Sequence, residues 1–229
     1  MKKGKLIVIE GTDCSGKETQ TDLLVEALEN EKISVFRFSF PNYSSPTGRI
    51  VGGPYLGKSY ICDGWFLEEA PNVDPKVSSL YYAADRRYNI SEINKHLEKG
   101  VNVLLDRYSF SNMAHQGGKL SDAKKRSEMF KWIEKLEFEL LELPKPDIKI
   151  FLHMPYEASL ILKKTRGLKE DMDQNEKHEQ HLKDAEQAYI EIAKEYDFYT
   201  IECATGDNIK TIEKIHEEIY EIVKRELTK

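Results

Sequence analysis

Apolar and polar positions follow two patterns that succeed one another along the chain. Short runs of β-branched and aromatic residues predict strands, and longer segments with an apolar residue at every third or fourth position predict helices. The predicted strands are 6–10, 33–39, 101–106, 148–153 and 198–202. The predicted helices are 17–29, 77–99, 123–142, 156–164, 177–196 and 209–227.

Strands that alternate with helices are typical of an α/β fold, in which helices cover both faces of a parallel sheet. We therefore predict a five-stranded parallel sheet and, for 229 residues without repeats or low-complexity linkers, a single domain over 1–229. The stretch 41–75 interrupts this regularity because it is rich in glycine and proline, with one short predicted helix near Ile50. An irregular connection of this length in a compact domain is usually functional.

Composition narrows the class of protein. The net charge of −6 argues against a broadly basic surface for nucleic acid, and no apolar run is long enough to cross a membrane. Three widely spaced cysteines suggest a reducing compartment, so we expect a cytoplasmic protein without a disulfide framework or a zinc site. The N-terminus enters a predicted strand too early to read as a signal peptide. His178 and His181 have a spacing that could hold a metal, but we expect them on a solvated helix face.

The strongest single motif follows the first predicted strand. Residues 11–17 read G-T-D-C-S-G-K and match the phosphate-binding loop G-x-x-x-x-G-K. In such loops the glycines let successive backbone N–H groups converge on phosphate oxygens, and the lysine adds a point charge at the terminal phosphates. We therefore predict a nucleotide-phosphate site over 11–18 and its flank, formed by Gly11, Thr12, Asp13, Cys14, Ser15, Gly16, Lys17, Glu18 and Thr19.

The residue after the lysine departs from this motif. A serine or threonine normally stands there, and its hydroxyl binds Mg²⁺, whereas this chain has Glu18 followed by Thr19. A carboxylate beside a triphosphate is repelled, but at the start of a helix it is favoured electrostatically, and it can itself ligate Mg²⁺. We expect Glu18 either to bind Mg²⁺ through water or to turn away into a surface ion pair, with Asp106 and Thr19 helping to hold the metal.

A second group of polar residues follows the third predicted strand, where residues 106–112 read D-R-Y-S-F-S-N. Open α/β sheets bind ligands at the carboxyl ends of their strands. Asp106 can act on Mg²⁺ directly or through water, and Arg107 can hold a phosphate through two hydrogen bonds. Because the phosphate loop lies at the same edge of the sheet, we expect both residues at the nucleotide site rather than in a surface ion pair.

These motifs and several others resemble those of the thymidylate kinase family, which are P-loop nucleoside monophosphate kinases. The motifs are E-G-T-D at 10–13, F-P-N-Y at 40–43, Y-A-A-D-R at 82–86, D-R-Y-S-F-S-N at 106–112 followed by His115 and Gln116, L-P-K-P-D at 143–147, and D-Q-N-E at 173–176, thirteen residues before Tyr189. Each motif is weak alone, but their order and spacing fit together over about residues 5–196.

The resemblance implies a P-loop NTPase-type three-layer sandwich with a helical lid at about 163–176. It implies transfer of the γ-phosphoryl group of ATP to dTMP with Mg²⁺, and a homodimer. Tyr82 would stack on thymine, Arg86 would donate to a base carbonyl, and Asp13 would contact the deoxyribose hydroxyl. The monophosphate pocket would be lined by Phe40, Tyr43, Arg107 and Asn112, with His115 where the family more often has tyrosine, and then Gln116.

The family also supplies a cation to the transferring phosphoryl group, either from the phosphate loop or from the lid. Cys14 occupies the loop position here, so the resemblance implies a lid residue. Arg166 is the first candidate, and Lys163 or Lys164 come next. Phosphoryl transfer depends mainly on positioning and charge neutralisation. The expected catalytic residues are Lys17, Arg107, Arg166 and Asp13.

Two other functions stay open. One is a kinase for another deoxynucleotide or for a deoxynucleoside, although a hydroxyl acceptor needs a general base and deoxynucleoside kinases do not carry an acidic residue at the position of Asp13. The other is a nucleotide-binding module without catalysis, because Glu18 replaces a metal ligand. A rise in melting temperature with dTMP, followed by ADP formation, distinguishes the kinase from the binding module.

Overall fold

The computed structural model describes residues 3–166, 175, 178–206 and 208–229, and of residues 163–166 only the backbone. The central strands are β1 (Leu6–Gly11), β2 (Val35–Ser39), β3 (Asn102–Asp106), β4 (Ile148–His153) and β5 (Tyr199–Glu202). They form one sheet in the order β2-β3-β1-β4-β5, and every neighbouring pair is parallel. The predicted parallel sheet is confirmed.

Helices surround this sheet, and several begin at a side chain that caps the first turn. Asp74, Asp122 and Thr211 each accept a hydrogen bond from a backbone N–H group of the helix that follows. The helices are α1 (Lys17–Asn30), α2 (Pro46–Ile50), α3 (Pro75–Glu98), α4 (Ser109–Gly118), α5 (Ala123–Glu134), α6 (Tyr156–Arg166), α7 (Glu179–Glu195) and α8 (Ile212–Leu227). A short antiparallel pair, β6 (Ala204–Thr205) and β7 (Asn208–Ile209), precedes α8.

The core lies on both faces of the sheet because successive residues of β1 point to opposite sides. Ile7 and Ile9 pack in one apolar cluster with residues of α1 and α8. Leu6 and Val8 pack in a second cluster with residues of α3. A third cluster joins α4, α5 and α7 around Phe151 of β4. The predicted α/β sandwich with helices on both faces is therefore confirmed.

The observed helices differ from the predicted ones where the apolar periodicity of the sequence is absent or broken. Helix α4 is absent from the predicted elements because its ten residues, S-F-S-N-M-A-H-Q-G-G, contain only three apolar side chains and end in two glycines, although nearly all of them are buried. The predicted helix 123–142 is α5 continued by a π-helical segment, Lys135–Leu140. The last helix begins at Ile212 rather than at 209, because β6 and β7 occupy the preceding residues.

The long stretch 41–75 contains more structure than its composition predicts. Helix α2 continues into a π-helical turn, Val51–Tyr55, and a 3₁₀ turn, Ala70–Asn72, precedes α3. The segment forms a small apolar cluster of its own, which lies beside the sheet edge that holds the phosphate loop. The buried members of this cluster are Val51, Tyr55, Leu56, Ala70 and Val73.

Two general properties follow from the described residues. None of their helices combines the length and the apolar character that a membrane span requires. Cys14, Cys62 and Cys203 form no disulfide among the described residues.

Candidate active site

The phosphate loop connects β1 to α1 at the carboxyl edge of the sheet. Cys14 and Gly16 adopt left-handed backbone conformations, with φ of 56° and 79°. Such residues within a tight turn produce the concave run of N–H groups that binds anions. The hydroxyl of Thr12 donates to the carbonyl of Met154 over 2.7 Å, which ties the loop to the end of β4. The loop geometry therefore fits the predicted phosphate site.

Lys17 begins α1 and turns back across the loop. Its Nζ donates to the carbonyl oxygens of Gly11 and Thr12 over 3.0 and 2.8 Å. Burial, reinforced by the charge of Arg107, lowers the pKa of Lys17 to about 8. A lysine held in this way faces a bound anion with little solvent competition, because nearby water is already excluded.

Glu10 lies in β1 directly before the phosphate loop and connects it to α4. Its buried carboxylate accepts hydrogen bonds from the backbone N–H groups of Tyr108 and Ser111 over 2.8 and 3.0 Å, and from the Ser111 hydroxyl over 2.5 Å. Burial raises the pKa of Glu10, and these donors oppose the rise. The residue therefore fixes the start of α4 against the end of β1 rather than facing a ligand.

The residues expected to hold Mg²⁺ are not all brought together. Asp106 lies opposite Ile9 in the sheet register, and its buried Oδ1 has no hydrogen-bond partner among the described residues. Glu18, in the first turn of α1, lines the same cavity as Asp106. Thr19 is exposed and does not line that cavity. An unpartnered carboxylate oxygen at this edge fits a Mg²⁺ ligand, bound directly or through water.

Arg107 reaches across the mouth of the site. It has a positive φ of 65°, and its Nη1 lies 3.4 Å from both the Ser111 and the Tyr189 hydroxyl oxygens. Its Nη2 lies 4.0 Å from Oδ1 of Asp13 in the phosphate loop. The guanidinium group is therefore held between the two halves of the site, where a phosphate on either side can accept from it.

A cavity of about 450 Å³ extends from the phosphate loop toward α3. One end is acidic and carries Asp13, Glu18 and Asp106, with Arg107 beside them. The other end is aromatic and amide-lined. The described residues that line this second part are Phe40, Pro41, Tyr43, Leu56, Lys58, Tyr82, Arg86, Asn112, His115 and Leu182.

The aromatic end is built on α3. Tyr82 lies on the cavity wall, and its ring packs edge-on against Tyr55 with 5.7 Å between the centroids. One turn further along α3, Arg86 donates through Nε and Nη2 to Glu137 over 2.5 and 2.6 Å. Asn112 donates to the same carboxylate over 2.9 Å, and its buried Oδ1 has no partner among the described residues.

The segment that carries Phe40 and Tyr43 is fixed by a buried carboxylate that the sequence did not single out. Asp85 of α3 accepts from the backbone N–H of Asn42 over 2.8 Å, from the Ser45 hydroxyl over 2.9 Å and from the Thr47 hydroxyl over 2.9 Å. These bonds hold the turn 42–47 against α3. Asp85 therefore positions the wall of the cavity without facing it.

His115 of α4 contacts His181 of α7, which we expected on a solvated helix face. Its Nδ1 lies 3.2 Å from Nε2 of His181, which is 6% exposed. Burial lowers the pKa of His115 well below its usual range and that of His181 to about 4. The expectation of a solvated face is therefore wrong for His181, because α7 packs closely on α4. Gln116 is fully buried, and neither amide atom has a hydrogen-bond partner among the described residues.

The remaining site residues lie outside the described part of the chain. The side chain of Arg166 and those of Lys163 and Lys164 are not described, and neither is most of the expected lid at 163–176. Their assignment stays a prediction.

Sequence reasoning missed Glu137, His181, Asp85 and Lys58. Glu137 lies in the segment K-L-E-F-E-L at 135–140, where nothing distinguishes it from the other glutamates of a predicted helix, and its partner Arg86 is 51 positions away. A signal did exist for Asp85, which directly precedes Arg86 within the Y-A-A-D-R motif.

A phosphate loop at the end of β1, an acidic residue at the end of β3 and the cavity that extends from them toward α3 are typical of a P-loop phosphotransferase site. A family model described as thymidylate kinase matches residues 9–219. The chain belongs to the thymidylate kinase family.

Individual relatives agree with this. The chain is 30% identical to a thymidylate kinase of Schizosaccharomyces pombe over 96% of its own length and 92% of the relative's. It is 29% identical to a probable thymidylate kinase of Pyrococcus abyssi over 98% of both chains. The solved structure of a thymidylate kinase from Candida albicans superposes with a TM-score of 0.72 at 24% identity, covering 97% of this chain and 92% of that one. This last likeness supports the fold.

Proposed function

We propose that this protein is a thymidylate kinase that transfers the γ-phosphoryl group of ATP to dTMP, giving dTDP and ADP. Family membership supports the reaction class. The phosphate loop supplies the ATP site, and the cavity beside it has the size and the lining for one mononucleotide.

The observation that carries the choice of acceptor is the hydrogen-bonding pattern of Arg86 and Asn112. Two donors of Arg86 are held by Glu137, and its other N–H groups stay available at the cavity. Asn112 donates from its amide N–H₂ to Glu137 and to the Ser79 carbonyl, so its Oδ1 is left as an acceptor, and we place it against the base rather than in the monophosphate pocket that the family resemblance implied. Thymine and uracil present a carbonyl next to an N–H group, which pairs with this donor and acceptor. At the same edge, cytosine presents an amino group next to an unprotonated ring nitrogen, which is the reverse pattern of donor and acceptor.

The reaction needs no general base because the acceptor phosphate is already an anion. An oxygen of dTMP forms a bond to the γ-phosphorus of ATP, while the bond from that phosphorus to the bridging oxygen breaks and ADP leaves with the electron pair. Lys17 and Arg107 neutralise charge on the transferring group, and Asp13 orients the acceptor. Asp106, with Glu18, would hold Mg²⁺, which would neutralise part of the phosphate charge when bound.

We also propose a cytoplasmic homodimer. The three cysteines, none of which is in a disulfide among the described residues, support a reducing compartment. One side of α3 leaves Val77, Leu80 and Tyr88 between 40% and 58% exposed, which is the kind of apolar surface that a second copy covers. Light scattering at two protein concentrations tests the dimer, and a monomer at both would contradict it.

The test of the function separates a kinase from a binding module. We expect dTMP to raise the melting temperature and, with ATP and Mg²⁺, to give ADP and dTDP in equal amounts. We expect Glu18→Ser to stay within about tenfold of wild type and to shift mainly the Mg²⁺ dependence. If the wild type forms no ADP with any monophosphate at saturating Mg²⁺ while Glu18→Ser does, the protein is a binding module.

A further inference from the structure

Glu137 lies beneath the two residues that are proposed to read the base, and it does not reach the cavity itself. Its side chain is 0% exposed and does not line the cavity, whereas Arg86 and Asn112 both do. Oε1 of Glu137 accepts a hydrogen bond from Arg86 Nη2 over 2.6 Å and another from Asn112 Nδ2 over 2.9 Å. A single carboxylate oxygen therefore joins the guanidinium group to the amide.

The second oxygen of this carboxylate completes the arrangement. Oε2 accepts from Arg86 Nε and from the Ser109 hydroxyl, each over 2.5 Å. An ionised carboxylate has room for about four hydrogen bonds, and Glu137 makes all of them to the protein. Its orientation is therefore fixed by its four donors.

The sequence places Glu137 where an apolar residue would be expected. Met129, Ile133 and Glu137 follow one another at intervals of one helical turn, and all three are buried. A carboxylate at such a position needs a partner, and a buried ion pair is in general no more stable than a well-packed apolar pair of the same size. We therefore look for the role of this pair in the orientation that it gives its partners.

The hydrogen-bonding character of Glu137 decides which way the amide of Asn112 points. An ionised carboxylate only accepts hydrogen bonds, so Nδ2 of Asn112 must face it. The same nitrogen lies 3.3 Å from the Ser79 carbonyl oxygen, which also only accepts. Rotating the amide by half a turn would place its own oxygen against two acceptors and would break a hydrogen bond to a charged group. Oδ1 is thereby kept for a ligand, and it has no partner among the described residues.

An amide that cannot rotate discriminates between pyrimidine bases. Thymine and uracil bring an N–H group that can donate to Oδ1, whereas cytosine brings an unprotonated ring nitrogen that this oxygen repels. An amide that could rotate would donate to the cytosine nitrogen instead and would accept both kinds of base. Discrimination therefore depends on how strongly the amide of Asn112 is held.

We propose that Glu137 is a positioning residue that sets the base specificity of the acceptor site without contacting the acceptor. It holds the Asn112 amide and the Arg86 guanidinium group in the one arrangement that suits a carbonyl next to an N–H group. This inference rests on the proposed function, because it takes the aromatic end of the cavity as the base site.

The test compares dUMP with dCMP, which differ only at the base edge that faces these two side chains. Titration calorimetry gives both dissociation constants, and the specificity is their ratio. We expect the wild type to bind dUMP more tightly and Glu137→Gln to lower this ratio by about tenfold, because the new amide can donate to a rotated Asn112. A ratio of two affinities on the same folded protein is not altered by a loss of stability.

Ser109→Ala is the matched control. It removes another hydrogen bond to the same carboxylate, but Ser109 does not line the cavity and Asn112 keeps its acceptor. We expect the ratio of the two affinities to stay within about twofold of the wild-type ratio, although the loss of this bond lowers stability.

A measurement on the wild type decides the matter if Glu137→Gln does not fold. In isotope-labelled protein, nuclear magnetic resonance follows the side-chain amide protons of Asn112. We expect them to exchange slowly with water, both in the free protein and with dUMP bound, because both donors of this amide are engaged.

Three results would overturn the inference. An unchanged ratio in Glu137→Gln would mean that Glu137 only supports the fold, and an equal fall in Ser109→Ala would mean that any loosening of this region relaxes specificity. Rapid exchange of the Asn112 amide protons would mean that the amide is not held. Formation of dTDP by the wild type is measured separately, so any of these results with an active wild type leaves the proposed function intact, whereas an inactive wild type refutes that function.

Discussion

Arg86 and Glu137 form a two-point ion pair, 2.5 Å from Nε to Oε2 and 2.6 Å from Nη2 to Oε1, with side chains only 3% and 0% exposed. The Ser109 hydroxyl donates to the same carboxylate over 2.5 Å. The pair cancels the guanidinium charge and fixes its plane at the aromatic end of the cavity. Under the proposed function, Arg86 therefore acts on the base as an oriented hydrogen-bond donor and not as a net charge.

Breaking this pair should destabilise the fold. Glu137→Gln keeps the shape but leaves a buried guanidinium uncompensated, so we expect a loss of about 3–5 kcal/mol in the free energy of unfolding, measured with urea. The double variant Arg86→Met with Glu137→Leu removes both charges, and we expect it to recover only part of that stability, because Ser109 and Asn112 lose their acceptor, while its KM for dTMP rises. If Glu137→Gln has the same free energy of unfolding as the wild type, the ion pair does not stabilise the fold.

His153 should make stability depend on pH. It lies 3.0 Å from Glu186 and 2.6 Å from Glu202, and the hydrogen bond to Glu186, followed by that to Glu202, raises its pKa above the usual value. A raised pKa in the folded state gives stability that is fully present below the unfolded value, about 6.5, and lost as the pH rises through the folded value.

Thermal unfolding at several pH values checks this expectation. The wild type should exceed His153→Gln in melting temperature most clearly near pH 6, and the difference should shrink toward pH 9. Glu202→Gln, which removes one of the two carboxylates, should show an intermediate pH dependence. A difference that is constant with pH, or that grows with it, would contradict the assignment.

His181 should act on the acceptor through His115. When the His181 imidazole is removed, His115 loses the hydrogen bond that fixes its ring at the cavity. We expect His181→Ala to raise the KM for dTMP by about threefold to tenfold with a smaller change in kcat, and His181→Asn to restore part of the loss. The control is His178→Ala, because His178 pairs with Glu69 at the surface and should leave both constants unchanged.

Arg166 should supply the charge that the phosphate loop lacks. We expect Arg166→Ala to lower the single-turnover rate by about 10³ with little effect on dTMP affinity, because such arginines act on the transition state. Cys14→Arg added to that variant should recover part of the rate. A fall of less than about tenfold, with Lys163 and Lys164 variants no more affected, would exclude the lid as the source of the charge.

Local patterns account for what could be predicted from the sequence. The apolar run of β1 and the glycines of the phosphate loop determine the conformation of adjacent residues, so both could be predicted. The parallel sheet then brings Asp106 to the same edge. Glu137 could not be predicted as the partner of Arg86, because the two residues are 51 positions apart and a glutamate in a predicted helix is usually exposed. His178 and His181 look alike in sequence, but His178 stays half-buried just before α7, whereas the packing of α7 on α4 buries His181.

The most direct test of the account is the comparison of acceptors by wild-type protein with ATP and Mg²⁺. The kcat/KM of ADP release is measured for dTMP, dUMP, dCMP and AMP, with dTDP identified by mass. The donor and acceptor at Arg86 and Asn112 predict that dTMP is best, that dUMP still reacts because one methyl group is worth only about 1–3 kcal/mol, and that dCMP and AMP are inactive. Faster phosphorylation of dCMP or AMP than of dTMP would contradict it.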